Sequence, residues 1–266
     1  MSTPHRPMPV PAVNPFKQKL LRGEPQFGLF CMSLTAQTAE ALSSCGFDFL
    51  MFDAEHTPTS LPTLYTQALA LAASTTQCLV RMPSLDPVLF KPVLDLAIDT
   101  VMVPNIRTAE EARAAVRAVR YPPHGIRGVG GSVRATGYGR HADYYAVAAD
   151  RVCLLLQIES AEGLRNLDAI CAVDGVDGLF IGPVDLATDM GHLAQATHPQ
   201  VVEAALDGVR RIRAAGKAAG ILAAEAQAAM YVDAGANVVC LGSDLGVLVR
   251  NADALAARWV RAEQAP

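Results

Sequence analysis

The chain has 266 residues, about half of them apolar, and its 22 basic and 26 acidic side chains leave a net charge of −4 at pH 7. That length is enough for a full core in a single domain, and the absence of like-charge blocks excludes nucleic acid and anionic membrane surfaces in favour of a small-molecule ligand. No apolar run approaches the ~18 residues that would span a bilayer, so the surplus of apolar side chains predicts contacts between subunits of a homo-oligomer.

At the N-terminus, Met1 to Val13 is rich in proline and lacks the apolar core of a signal peptide, so it reads as a flexible arm on a cytoplasmic protein. The arm is drawn over residues 1–20, and one domain over residues 21–262. From there, short β-rich runs alternate with alanine-rich amphipathic segments. The runs are 27–32, 47–53, 77–81, 100–104, 152–159, 178–183, 217–222 and 238–242, and helical periodicity appears over 108–120, 199–214 and 223–234. Strands that are continuously apolar suit a parallel sheet covered on both faces. Eight strand–helix units predict a (β/α)8 barrel, with a doubly wound open sheet as the alternative.

One connection breaks the rhythm. Tyr121 to Ser132, continuing through Gly137 and Gly139 to Arg140, forms a long glycine-rich insertion, expected to be a functional loop near the site. It is not a dinucleotide fingerprint, because Val133 occupies the last glycine position and no strand precedes it directly. Cysteines 31, 78, 153 and 240 fall in strand-like runs and Cys45 and Cys171 at helix ends, with no CxxC pair, so all six read as small buried hydrophobes.

Polar residues gather at the C-terminal ends of the strand runs, where barrel enzymes do their chemistry. The second run ends in Asp53-Ala54-Glu55-His56, the third in Arg81, and the fifth in Gln157 and Glu159, while the sixth leads into Asp185. Each taken alone has a structural explanation, such as a salt bridge. Together they are hard to explain as packing, since unpaired charge at a barrel mouth is costly unless a ligand or metal uses it. Glu159 and Asp185, two hard oxygen ligands, suggest a divalent metal. Asp53 is close enough in sequence to accept a hydrogen bond from the His56 imidazole and raise its basicity. The four lysines, Lys17, Lys19, Lys91 and Lys217, are all placed away from the bowl, so no Schiff base is expected and carbonyl chemistry would need a metal electrophile.

These motifs resemble those of the metal-dependent pyruvate aldolases. The resemblance is carried by Phe49 to His56, Tyr121 to Val129, Gln157-Ile158-Glu159 and Gly175 to Leu186, and it covers nearly the whole chain after the arm. It implies reversible cleavage of a 4-hydroxy-2-oxo acid, of the sugar-acid or heptanedioate type, to pyruvate and an aldehyde in aromatic or sugar-acid catabolism. It further implies Glu159 and Asp185 as ligands of Mg2+, Mn2+ or Co2+, Arg81 as the enolate stabiliser, and His56 with Asp53 as the proton-transfer dyad. Gln157, Gly182 and Pro183 would line the substrate site, with Glu55 nearby. Gly242 to Val247 leans towards the sugar-acid members. Two departures stand out: Ala54 where glycine is common, and residues 132–140, which do not align cleanly. Arg127 and Arg134, with Arg140, are expected to bring positive charge from the loop to the aldehyde half. The readings left beside this one are a barrel lyase or synthase acting on phosphoenolpyruvate or acyl-CoA thioesters, and a non-catalytic metabolite-binding barrel. A last helix over 244–260 is apolar on more than one stripe. By the same resemblance it packs on a neighbouring barrel, with Trp259 at the interface of a hexamer built from three dimers.

Overall fold

The computed structural model describes residues 13–141 and 143–260. Side chains along a strand alternate between faces, and here the alternation sorts two cores. In β2 (Phe49–Asp53), Phe49 and Met51 join an inner cluster with Leu79, Met102, Leu155 and Phe180, while Leu50 and Phe52 join an outer cluster beneath the helices. Both faces are covered, which is why the runs read as continuously apolar. The other strands are β1 (Gln26–Cys31), β3 (Gln77–Arg81), β4 (Thr100–Val103), β5 (Cys153–Ile158), β6 (Gly178–Ile181), β7 (Ala218–Leu222) and β8 (Val238–Ser243). They pair in parallel and in sequence order, and β8 closes on β1. The expected (β/α)8 barrel is the architecture observed.

The helices are α1 (Pro15–Leu21), α2 (Ala36–Ser43), α3 (Leu61–Ala70), α4 (Pro87–Asp95), α5 (Ala109–Val119), α6 (Tyr144–Arg151), α7 (Ala161–Arg165), α8 (Leu167–Cys171), α9 (Pro183–Asp189), α10 (Pro199–Ala214), α11 (Glu225–Asp233) and α12 (Asp244–Trp259). Their starts follow local chemistry. Thr108 and Glu111 form a reciprocal capping box on α5, and Pro87, Pro183 and Pro199 occupy first positions, where the missing N–H costs nothing.

Three expectations need correction. The arm does not extend to residue 20, because Pro15–Leu21 is a helix that closes the N-terminal end of the barrel. Phe16 is fully buried edge-on to Phe49 at 5.4 Å, and the Asn14 amide donates to Thr100 Oγ1 at 2.9 Å. Residues 1–12 lie outside the described residues. The glycine-rich segment is not at the bowl of this chain. It connects α5 to α6 at the end where strands begin, and it is held there by Arg127 on Asp95 (2.9 Å) and by Arg134 on the Leu96 carbonyl (2.8 Å). Connections from helix to strand must lie at that end of a parallel barrel, so length and glycine content were the wrong guides. Cys45 is exposed rather than buried; the other five cysteines are buried or partly so, and all six are free.

Among the described residues no helix is long and apolar enough to cross a membrane. After Asp244, α12 leaves the barrel, and every residue from Leu248 to Trp259 is exposed, Trp259 at 81%.

Candidate active site

The inner face of the barrel changes character along each strand. In β5 the inward positions run Cys153, Leu155, Gln157 and then, one step past the strand, Glu159; in β2 they run Phe49, Met51, Asp53; in β3 they run Leu79, Arg81. Apolar side chains fill the barrel, and charged ones crown its C-terminal end. Asp53 pairs with Arg81 in register across β2 and β3. Arg81 grips the Asp53 carboxylate with two parallel bonds, Nε to Oδ1 at 2.9 Å and Nη2 to Oδ2 at 2.7 Å. Its remaining nitrogen, Nη1, lies 3.2 Å from Glu55 Oε2, and its guanidinium carbon sits 4.8 Å from the centre of the Phe30 ring.

This geometry corrects the expected dyad. The Asp53 carboxylate is taken by Arg81 and by the Glu55 N–H (3.0 Å), and the carboxylate beside His56 is Glu55, with Nε2 3.7 Å from Oε2. Sequence proximity favoured Asp53, but residues three apart at a strand end do not share a face. Burial alone would raise the Asp53 carboxyl, and the Arg81 guanidinium outweighs it, holding the group below its ordinary value.

Glu159 is 4% exposed and held at both oxygens. Oε1 accepts the Asn105 N–H at 2.8 Å, and Oε2 accepts the Gln157 amide at 2.5 Å. Burial pushes this carboxyl up to about 7; the Asn105 N–H works against the shift, and nearby Glu55 and Asp185 add to it. Glu55 is likewise raised, chiefly by burial. Asp185 projects from the first turn of α9, exposed at the rim. Gly182 has to be glycine: a Cβ there would fall 2.6 Å from Glu159 Oε2 and 2.7 Å from Gln157 Nε2.

A cavity of about 440 Å³ opens over these groups, within the range of small-molecule sites. His56, Arg81, Gln157 and Asp185 make its polar side, and Phe30, Met32, Val184 and Leu222 its apolar wall, with Gly182 and Pro183 in the floor. Arg127 and Arg134 are not part of it. Arg127 is buried at the opposite end, between Tyr121 and Tyr144.

The donor set suits a hard divalent cation. The carboxylates of Asp53, Glu55 and Glu159 gather on a single guanidinium with Asp185 nearby, and a cation would offset both the burial that chiefly raises Glu159 and the smaller repulsion from Glu55 and Asp185. Among the described residues no three His, Cys, Asp or Glu side chains cluster as a complete metal site. Two carboxylates with substrate and water completing the shell are the pattern expected of Mg2+ and its relatives.

Sequence reasoning missed two residues. Asn105, just beyond β4, holds Glu159; its signal was a strand-end Asn after Pro104. Asp244 accepts from the Met32 N–H (2.8 Å) and the Ser33 N–H (3.1 Å), tying the β1 and β8 ends of the rim together.

These features define a (β/α)8 barrel enzyme whose bowl gathers carboxylates and an arginine around a cavity of small-molecule size. The profile of the HpcH/HpaI aldolase/citrate lyase family matches residues 26–251, and the chain belongs to that family. It is 49% identical over 248 residues to a 4-hydroxy-2-oxo-heptane-1,7-dioate aldolase of Klebsiella pneumoniae subsp. pneumoniae, covering 92% of this chain and 94% of that protein. It is 46% identical over 248 residues to a pyruvate aldolase of Rhizobium etli, covering 93% and 98%. The crystal structure of an HpcH/HpaI aldolase/citrate lyase family protein from Burkholderia cenocepacia superposes with a TM-score of 0.89 at 38% identity, over 94% of this chain and 100% of that one.

Proposed function

We propose that the protein is a class II pyruvate aldolase that reversibly cleaves a 4-hydroxy-2-oxo acid to pyruvate and an aldehyde. It is a carbon–carbon lyase of a family that depends on divalent metal. The observation that carries the reading is the pairing of Glu159 and Asp185 at a bowl that none of the four lysines reaches. Lys17 is engaged by Asp177 and Lys19 by Asp48, while Lys217 donates to the Val176 carbonyl and Lys91 lies on α4 against Gly128. An amine nucleophile is therefore not available for a Schiff base.

Glu159 and Asp185 are the residues to hold Mg2+, Mn2+ or Co2+. Bound there, the cation supplies Lewis-acid polarisation of the pyruvate keto oxygen. Arg81 is fixed by Asp53 along one edge, and the Nη1 side that it shares with Glu55 would face the negative charge that develops on the enolate oxygen. Gln157 is buried beside Glu159 and offers its amide to the pyruvate carboxylate. His56, at the rim, moves the proton of the C4 hydroxyl, with Glu55 rather than Asp53 as its neighbour. The apolar wall of Phe30, Met32, Val184 and Leu222 excludes water from the reacting carbons.

Assembly follows from α12. A helix with Leu248, Val249, Leu255 and Trp259 exposed needs a second surface; the reading, taken from the resemblance to the aldolases, is that a neighbouring barrel in a hexamer of three dimers supplies it. The test of the activity is pyruvate release from 4-hydroxy-2-oxoheptanedioate and 2-oxo-3-deoxy sugar acids beside phosphoenolpyruvate and acyl-CoA thioesters. Turnover of the hydroxy-oxo acids alone is expected; turnover of a thioester instead would replace the reading with the synthase one.

A further inference from the structure

We infer that Asn105 is the positioning residue that sets the metal carboxylate against the proton-transfer side of the bowl, through a left-handed backbone that asparagine and glycine enter more readily than other residues. The inference rests on Glu159 being a metal ligand. Strand β4 ends at Val103, Pro104 has no N–H to continue the ladder, and Asn105 turns the chain with φ of +58°. Side chains with a Cβ avoid that region, and asparagine is one of the few residues that enter it readily.

The turn aims two successive N–H groups at the end of β5. That of Asn105 reaches Glu159 Oε1 at 2.8 Å, and that of Ile106 reaches the Gln157 carbonyl at 3.1 Å. The Asn105 amide then crosses to Glu55 Oε1 at 3.4 Å. Glu55 in turn stands 3.2 Å from Arg81 and 3.7 Å from His56. One exposed residue thus links the carboxylate of the metal side to the cluster that handles the proton and the enolate charge, across separations of 54 and 50 residues. Backbone and side chain carry separate duties: the N–H, with the Gln157 amide on the other oxygen, fixes the orientation of the Glu159 carboxylate, and the Asn105 amide fixes where Glu55 sits beside His56.

The two duties separate in variants of the full-length protein. Asn105→Gly keeps the left-handed backbone and the N–H but loses the amide, whereas Asn105→Val drives the backbone out of that region. Calorimetric titration of the chelated protein with Mn2+ alone should show Asn105→Gly within twofold of wild type and Asn105→Val at least tenfold weaker. At saturating Mn2+, Asn105→Gly should exchange the methyl protons of pyruvate about threefold more slowly. Should Asn105→Val not fold, Asn105→Ala carries a smaller backbone penalty of the same kind and should still bind Mn2+ more weakly than Asn105→Gly. Wild-type Mn2+ affinity in the valine or alanine variant, or equal weakness in Asn105→Gly, overturns the backbone role. Wild-type proton exchange in Asn105→Gly overturns the side-chain role. Glu159→Gln separates failure of the premise: if it binds Mn2+ as wild type does, the metal assignment itself is wrong.

Discussion

Metal-free protein should lose stability as the pH rises through neutrality, and the loss should trace to Glu159. Its carboxyl is raised by burial to about 7 in the folded chain, against 4.5 ordinarily. Between those values the folded protein holds a proton that the unfolded chain has released. The stability this proton confers is therefore complete below pH 4.5 and is lost as pH climbs through about 7. The span from 4.5 to about 7, at about 1.36 kcal/mol per pH unit, amounts to about 3 kcal/mol. Glu159→Gln mimics the protonated form at every pH, so the difference between variant and wild type removes the contributions of all other groups. In chelator, urea unfolding should place the two within about 1 kcal/mol at pH 4.5, with Glu159→Gln more stable by about 3 kcal/mol at pH 8. Saturating Mn2+ should reverse the order at pH 8, because binding requires the ionised carboxylate and stabilises wild type by mass action. Parallel stability curves for the two proteins across this range in chelator would refute the argument.

Arg81→Lys should lower kcat/KM about 100-fold, since a point charge cannot hold Asp53 and stabilise the enolate together; Asp53→Asn should copy that lesion rather than that of His56→Ala, as seen by comparing retro-aldol kinetics with pyruvate proton exchange. Arg127→Met should cost about 3 kcal/mol by urea unfolding, because it strands Asp95 and Tyr144, while aldehyde preference stays unchanged; a changed preference at unchanged stability would return Arg127 to the substrate site. Replacing Leu248 and Trp259 together with Asp should dissociate the assembly in light scattering, and a wild-type chain already monomeric at micromolar concentration would contradict the role given to α12.

The sequence carried the barrel plainly, because continuous apolar strands at regular spacing leave few other packings, and β3 and α10 lie where periodicity placed them. It also carried which side chains crown the barrel, since Asp53, Arg81, Gln157 and Glu159 occupy inward positions at successive strand ends. Partners within the crown were not legible. Asp53 pairs with Arg81 through strand register, which spacing in one strand cannot reveal. The glycine-rich loop misled for a similar reason: its arginines look like ligand contacts until the helix-to-strand rule assigns that connection to the far end. Asn105 was hidden because its contribution comes from a backbone angle rather than from its side-chain type alone. The N-terminal helix was missed because its two buried residues, Phe16 and Leu20, sit in a short segment with lysines between them.

Carbon–carbon cleavage in this barrel is expected to run on a divalent cation held by Glu159 and Asp185, with no covalent amine intermediate. The most direct test is retro-aldol turnover of 4-hydroxy-2-oxoheptanedioate by exhaustively chelated protein, before and after Mn2+, Co2+ or Mg2+ is added, with borohydride and pyruvate present in a parallel sample. Turnover should vanish on chelation, return with metal in wild type but not in Glu159→Gln or Asp185→Asn, and leave the protein mass unchanged after borohydride. Full activity in chelator, or a borohydride-trapped pyruvate adduct on a lysine, would contradict it.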